Sequence, residues 1–340
     1  MTGKAAPGRY NSLADIAGLK IGNAQDGTLK SGATAIICDE PMIASVAVHG
    51  GAPGTRDVAL LEPENSVESI DAITLSGGSA FGLDAASGVQ SWLRQNGRGF
   101  AIGPVRIPIV PGAIIFDLIN GGDKDWGKHS PYRDFGWDAA ANASIEFETG
   151  SVGAGTGAIT AGLKGGLGSA SIVLENGVTI AALFAVNCLG SCTFGETKHF
   201  HAAMFEHEKE FGGHGAPDHL PADASDIKIK FREVTANMAN TTIGVVSTDA
   251  VLTKAQAKRL AIAAHDGIAR AIWPAHTPMD GDLVFALASG KSGVVPGAGD
   301  WIDLGAHAAG VTARAIAQGV YAASGAAGDP YPSYQEKFQK

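Results

Sequence analysis

The stretch Ala239-Asn240-Thr241-Thr242-Ile243-Gly244-Val245-Val246-Ser247-Thr248-Asp249 reads as a strand whose first residues carry hydroxyls. It has the pattern of a buried cut site. A backbone amine released at Thr241 sits beside that residue's own hydroxyl, so one residue supplies both a nucleophile and the base that activates it. No separate histidine is then required. Any Asn-Thr-Thr tripeptide can equally begin an ordinary strand, so the reading rests on what else the chain supplies.

The 340 residues are 45% hydrophobic, enough to bury a large core in one large or two ordinary domains. The 47 glycines follow no collagen-like period and point to tight turns and close backbone approaches. Acidic residues outnumber basic ones 34 to 25, and no Lys/Arg cluster is interleaved with aromatics, so nucleic acid is excluded as a partner class. Met1 to Gly18 has no apolar run long enough for a signal peptide, and no later run suits a membrane span, so the expected location is cytoplasmic. Cys38, Cys188 and Cys192 make an odd count that fits packed thiols in a reducing compartment.

Outward from the central strand, Thr253 caps a helix in which Leu260, Ala264, Ile268 and Ile272 share a face, ended by Pro274. His276-Thr277-Pro278-Met279-Asp280-Gly281-Asp282 then runs into a strand from Leu283 to Leu287. Residues two apart in extended chain share a face, so Asp280 and Asp282 can point at one site. Their surroundings do not match EF-hand spacing. A last, small-residue-rich helix is expected over Gly310 to Ala323. On the other side, Gly195 to Lys230 is charged and rich in histidine, glycine and proline, and reads as an exposed connector. Its His199, His201, His207, His214 and His219, with Cys188 and Cys192, match no zinc spacing, so no metal and no cofactor is expected.

Near the start, Ile16 to Ile21 and Ala33 to Cys38 read as short strands. Ala72 to Leu75 stops at Ser76-Gly77-Gly78-Ser79, followed by Leu83, Ala86, Val89 and Leu93 at helical spacing: strand, glycine turn, helix. A nucleophile elbow fails there, because Phe81 stands where glycine is needed. A phosphate loop fails at Gly290-Lys291-Ser292 because Phe285 replaces its upstream glycine, and Gly153 to Gly157 lacks the last glycine of a dinucleotide fingerprint. A polar loop through Trp126, Tyr132 and Arg133 precedes a helix expected near Trp137. Asn176-Gly177 between apolar runs signals a hairpin.

Leu75 to Leu83, Val152 to Gly157, Lys164-Gly165-Gly166, Asn240-Thr241-Thr242-Ile243 and His276 to Asp282, in this order, resemble the self-processing amidases that include DmpA-type aminopeptidases, β-peptidyl aminopeptidases and nylon-oligomer hydrolases. The threonine at the cut and Asp-Gly-Asp look most like the nylon-oligomer branch. The resemblance implies one α/β domain over 1–340, a four-layer αββα sandwich shared with ornithine acetyltransferase. It also implies cleavage between Asn240 and Thr241 into a 1–240 piece and a 241–340 piece, and a homo-oligomer, a tetramer of paired pieces. By motif, Thr241 is the nucleophile and Asp280 and Asp282 orient its amine and proton traffic. Lys164 and Asn187 polarise the carbonyl and hold the oxyanion. Phe116 departs from the tyrosine of the nylon-active relatives, which removes a hydroxyl from the implied site. The expected substrate is a small peptide, β-peptide or linear amide oligomer. Two other classes remain open: an acyl transferase of the ornithine type, and a non-catalytic binding protein, which predicts an intact chain.

Overall fold

Strands buried on both faces sort their side chains alternately into two cores. In Thr179–Asn187, Ala181, Leu183 and Ala185 enter one core, and Ile180, Ala182, Phe184 and Val186 the other. In Thr241–Thr248, Ile243 and Val245 join the first and Val246 the second. The computed structural model describes residues 5–232 and 240–339.

Among the described residues the main sheet has nine strands. Its path runs Leu167–Val173, Thr179–Asn187, Thr241–Thr248, Leu283–Ala288, Ser31–Val48, Ser69–Ser76, Gly112–Ile114 and Thr55–Arg56, with Leu19–Asp26 paired to Ser31–Val48. The 18-residue strand Ser31–Val48 joins the two halves, and its pairing with Ser69–Ser76 slips between Ile37 and Met42. Side chains from both halves, among them Ile21, Ile36, Ile73, Leu183, Ile243 and Phe285, meet in one central core. Helices α1 (Ala85–Gln95) and α2 (Tyr132–Ala141) cover one outer face around Val89, Leu93 and Ala139. Helices α3 (Lys254–Ala271) and α4 (Ala298–Tyr321) cover the other around Leu260, Ile268 and Ile316. The four layers are α, β, β, α, and the two β layers are halves of one hydrogen-bonded sheet folded over its own apolar face.

The Asn-Gly hairpin and the Thr253 cap form where the sequence places them, with Gly177 at φ 83° and Thr253 accepting from the Gln256 N–H. Other boundaries differ. Helix α4 starts twelve residues before Gly310, because Asp300, Trp301, Asp303 and His307 interrupt the small residues of its first turns, whereas small residues dominate its buried half. Helix α2 starts at Tyr132, whose ring is buried instead of lining an open loop. The 195–230 segment is no mere exposed connector: Phe200, Ala202, Phe211 and Lys230 are buried, and Phe200 stacks on Tyr334 with centroids 4.9 Å apart. Its charges mislead because some of them pair inward. Glu210 takes the buried Arg314 guanidinium through Nε at 2.5 Å and Nη2 at 2.8 Å.

Candidate active site

The register of two strands sets the site. Asn187 lies opposite Thr241 in the antiparallel pair, so both side chains leave the same face at the rim of the central core. Strand Leu283–Ala288 runs parallel to Thr241–Thr248 with Leu283 opposite Ile243, and a further bridge joins Asn240 to Asp280. Asp280-Gly281-Asp282 is thereby laid alongside Asn240-Thr241-Thr242.

All of these residues are buried, Thr241 to 1% exposure. The Thr241 hydroxyl donates to the carbonyl oxygen of Asn240 at 2.5 Å, and the Gly281 N–H donates to that same oxygen at 2.7 Å. Asp282 Oδ1 accepts the Thr242 N–H at 2.7 Å, while its Oδ2 accepts from His276 N at 3.1 Å and His276 Nδ1 at 2.9 Å. Asp280 Oδ2 accepts from Thr277 N at 3.0 Å and Thr277 Oγ1 at 2.6 Å, and its Oδ1 accepts the Leu189 N–H at 3.3 Å. Among the described residues neither carboxylate is bonded to the Thr241 hydroxyl; they brace the backbone on either side of it. Each carboxylate oxygen already faces an N–H or O–H donor, an arrangement unlike a calcium cage. Burial first, then the charge of Asp282, raises the Asp280 pKa above the usual carboxylate range. Burial opposes the His276 imidazolium, but the hydrogen bond and charge of Asp282 raise its pKa overall.

Asn187 is clamped from several sides. Its Nδ2 donates to the Phe116 carbonyl at 3.0 Å, and its Oδ1 accepts from Ile159 N at 3.1 Å and Lys230 Nζ at 3.0 Å. Lys230 also donates to the carbonyls of Asn187 at 2.7 Å and Ile159 at 2.8 Å, so three acceptors meet the three protons of an ammonium. Burial pulls the Lys230 pKa down to about 7, against the pull of Cys188, Asp280, Asp117 and Asp282. Lys164 is held elsewhere: its Nζ is 2.9 Å from Asp329 Oδ2, and Lys30 takes the other oxygen at 2.8 Å. The cation bonded to Asn187 is therefore Lys230, a residue the sequence reading leaves in a solvated connector. Its setting between Ile229 and Phe231 is the faint local signal.

The glycine turn supports the Phe116 wall. Asp117 accepts from Ser31 Oγ at 2.6 Å and from the Gly78 N–H at 2.7 Å, and Tyr132 donates to Ser31 Oγ at 2.8 Å. A methyl on Gly77 would lie 2.2 Å from Asp117 Oδ2, so no side chain fits there.

The four-layer arrangement is that of an Ntn-hydrolase fold. The l-aminopeptidase d-Ala-esterase/amidase from Ochrobactrum anthropi, described as a variant of that fold, matches with a TM-score of 0.67, covering 98% of this chain and 93% of that one at 20% identity. Within this fold class the assignment is specific: the profile of Peptidase family S58 matches residues 11–331, and the chain belongs to that family. It is 42% identical over 346 residues to an uncharacterized aminopeptidase of Mycobacterium tuberculosis (strain ATCC 25618 / H37Rv), covering 96% of this chain and 98% of that one. It is 25% identical over 294 residues to the 6-aminohexanoate-oligomer endohydrolase of Kocuria sp. (strain KY2), covering 83% and 76%. Membership in this aminopeptidase family supports a hydrolase. Among the described residues, no helix is long and apolar enough to cross a membrane.

Proposed function

We propose that the chain cuts itself between Asn240 and Thr241 and that the freed Thr241 then hydrolyses amides of small peptides, β-peptides or linear oligomers. The observation that carries this reading is the Asn240 carbonyl, whose oxygen is bonded to the Thr241 hydroxyl at 2.5 Å and to the Gly281 N–H at 2.7 Å. The nucleophile and a backbone donor thus converge on one peptide bond. Attack of Thr241 Oγ1 on the Asn240 carbonyl carbon places negative charge on the oxygen that Gly281 N–H already holds. The C–N bond then breaks, the nitrogen takes a proton, and water hydrolyses the resulting ester to leave a free amine on Thr241.

In turnover the same hydroxyl attacks a substrate amide, and its α-amine carries the proton to the leaving nitrogen. Asp280 and Asp282 hold the segments that present the nucleophile. Asn187, opposite Thr241 and fixed by Lys230, is the side-chain donor for the oxyanion once its Nδ2 leaves the Phe116 carbonyl. In place of a carbonyl contact, Lys164 is assigned to bracing Asp329. Burial of Thr241 limits substrates to flexible chains that enter a narrow cleft. The names of the relatives support both aminopeptidase and oligomer hydrolysis, and Phe116, which lacks the tyrosine hydroxyl, favours small peptides. Assembly of paired pieces into a homo-oligomer belongs to the same proposal, as does a cytoplasmic location, which the three buried free thiols support.

Intact-mass measurement tests the central step. Wild type is expected as pieces 1–240 and 241–340, the second of 100 residues (340 − 240 = 100), and Thr241→Ala as one chain. A fully active, uncut wild type overturns the proposal, and a new amino terminus at Thr242 moves the nucleophile by one residue.

A further inference from the structure

Three histidines from distant parts of the chain meet behind Asp282. His49 follows strand Ser31–Val48, His265 lies in α3, and His276 stands in the loop leading to Asp282. One ring nitrogen of each lies within 4.8 Å of the other two. Their hydrogen bonds fix two tautomers. His265 Nε2 is 3.0 Å from the Ala47 carbonyl oxygen, and His276 Nδ1 is 2.9 Å from Asp282 Oδ2. A carbonyl and a carboxylate only accept, so these two nitrogens carry protons.

The remaining nitrogens, His265 Nδ1 and His276 Nε2, face each other at 3.3 Å. Two facing lone pairs repel unless a positive charge sits between them, either a proton or a metal ion. Two imidazole nitrogens each about 2.0–2.1 Å from a tetrahedral zinc ion lie about 3.3 Å apart, which is the spacing found here. Both rings also have the outer partners typical of metal-bound histidine, a backbone carbonyl on one and a carboxylate on the other. His49 is exposed and stacks on His265 with centroids 3.8 Å apart. Tilting that solvent-facing ring off the stack brings in the third nitrogen, and its exposure gives an ion a path from water. The His49 N–H bond to the Asp282 carbonyl at 3.0 Å ties the cluster to the same loop.

We propose that His49, His265 and His276 form a binding site for a divalent transition-metal ion of the zinc type, with water as the fourth ligand. Spacing in the sequence hides this site because its ligands stand at positions 49, 265 and 276. The site does not depend on which residue is the nucleophile. Chelator-stripped protein containing all of residues 1–340, cut or uncut, is titrated with Co²⁺ and then with Zn²⁺ as competitor. One Co²⁺ per chain is expected, with the visible absorption of a tetrahedral ion that Zn²⁺ abolishes. His49→Ala, at an exposed position and checked for folding by circular dichroism, should weaken binding at least about tenfold. His307→Ala, half-buried in α4 and outside the cluster, should bind as wild type does. Absence of a saturable Co²⁺ spectrum, or equal affinities for the His49 and His307 variants, overturns the site and leaves a proton between His265 and His276.

Discussion

Replacing Lys230 by methionine is expected to change how folding stability depends on pH. The ammonium is fully buried, and burial lowers its pKa from 10.5 to about 7. Between these values the unfolded chain holds a proton that the folded chain has released, so stability rises with pH across that window and is lost as pH falls toward 7. One proton of difference is worth about 1.4 kcal/mol per pH unit, hence about 2–3 kcal/mol between pH 7.5 and 9.5. The cysteines act in the opposite direction. Burial pushes Cys38 up to about 12 and also raises Cys188, so the unfolded thiols ionise first and stability falls at alkaline pH. Comparing Lys230 with Lys230→Met removes the Cys38 background, which does not involve Lys230, and stopping at pH 9.5 keeps the raised Cys188 thiol protonated in both folded chains. Urea unfolding followed by tryptophan fluorescence, in a Thr241→Ala chain so that single polypeptides are compared, should show the lysine form gaining about 2–3 kcal/mol on the variant from pH 7.5 to 9.5. A pH-independent difference would refute the reasoning: the oxygens of Ile159 and Asn187 would then be holding the ammonium charged throughout.

Three further outcomes follow from the site. A methyl at Gly281 would lie 2.8 Å from both Thr241 Oγ1 and the Ala52 carbonyl oxygen. Gly281→Ala should therefore displace the donor on Asn240 O and slow self-cleavage by about 10²–10³-fold, seen as persistent uncut chain on a timed denaturing gel; cleavage at the normal rate removes Gly281 from the mechanism. Asn187→Ala, measured on material already cut, should lower kcat by about 10²–10³-fold with little change in KM, whereas a raised KM at unchanged kcat would make Asn187 a ground-state binding residue. Phe116→Tyr leaves the backbone carbonyl that holds Asn187 in place. It should raise the ratio of aminohexanoate-oligomer to peptide-amide turnover, and an unchanged ratio in a folded, self-cleaved variant would exclude Phe116 from specificity.

Local chemistry made part of this molecule legible in the chain itself. The hydroxyl-led strand at Thr241, the Asn176-Gly177 hairpin, the Gly77-Gly78 turn and the Thr253 cap depend on period, turn type and capping, all set within a few residues. Asp280 and Asp282 were legible for the same reason, since they sit immediately before a readable strand. Family resemblance supplied the layered architecture, which periodicity could not. Long-range contacts decided the rest. The pairing of Asn187 with Thr241 is a matter of register between strands more than fifty residues apart, and a slip of one residue would turn Asn187 to the other face. Lys230 looks solvated until Ile159 and Asn187 surround it, and Lys164 looks available until Asp329, 165 residues away, takes its charge. His49, His265 and His276 share no local pattern at all. A buried polar group is made tolerable by partners that only the folded chain brings within reach, and for that reason the tertiary structure decided which charged side chains lie against Asn187 and which pair elsewhere.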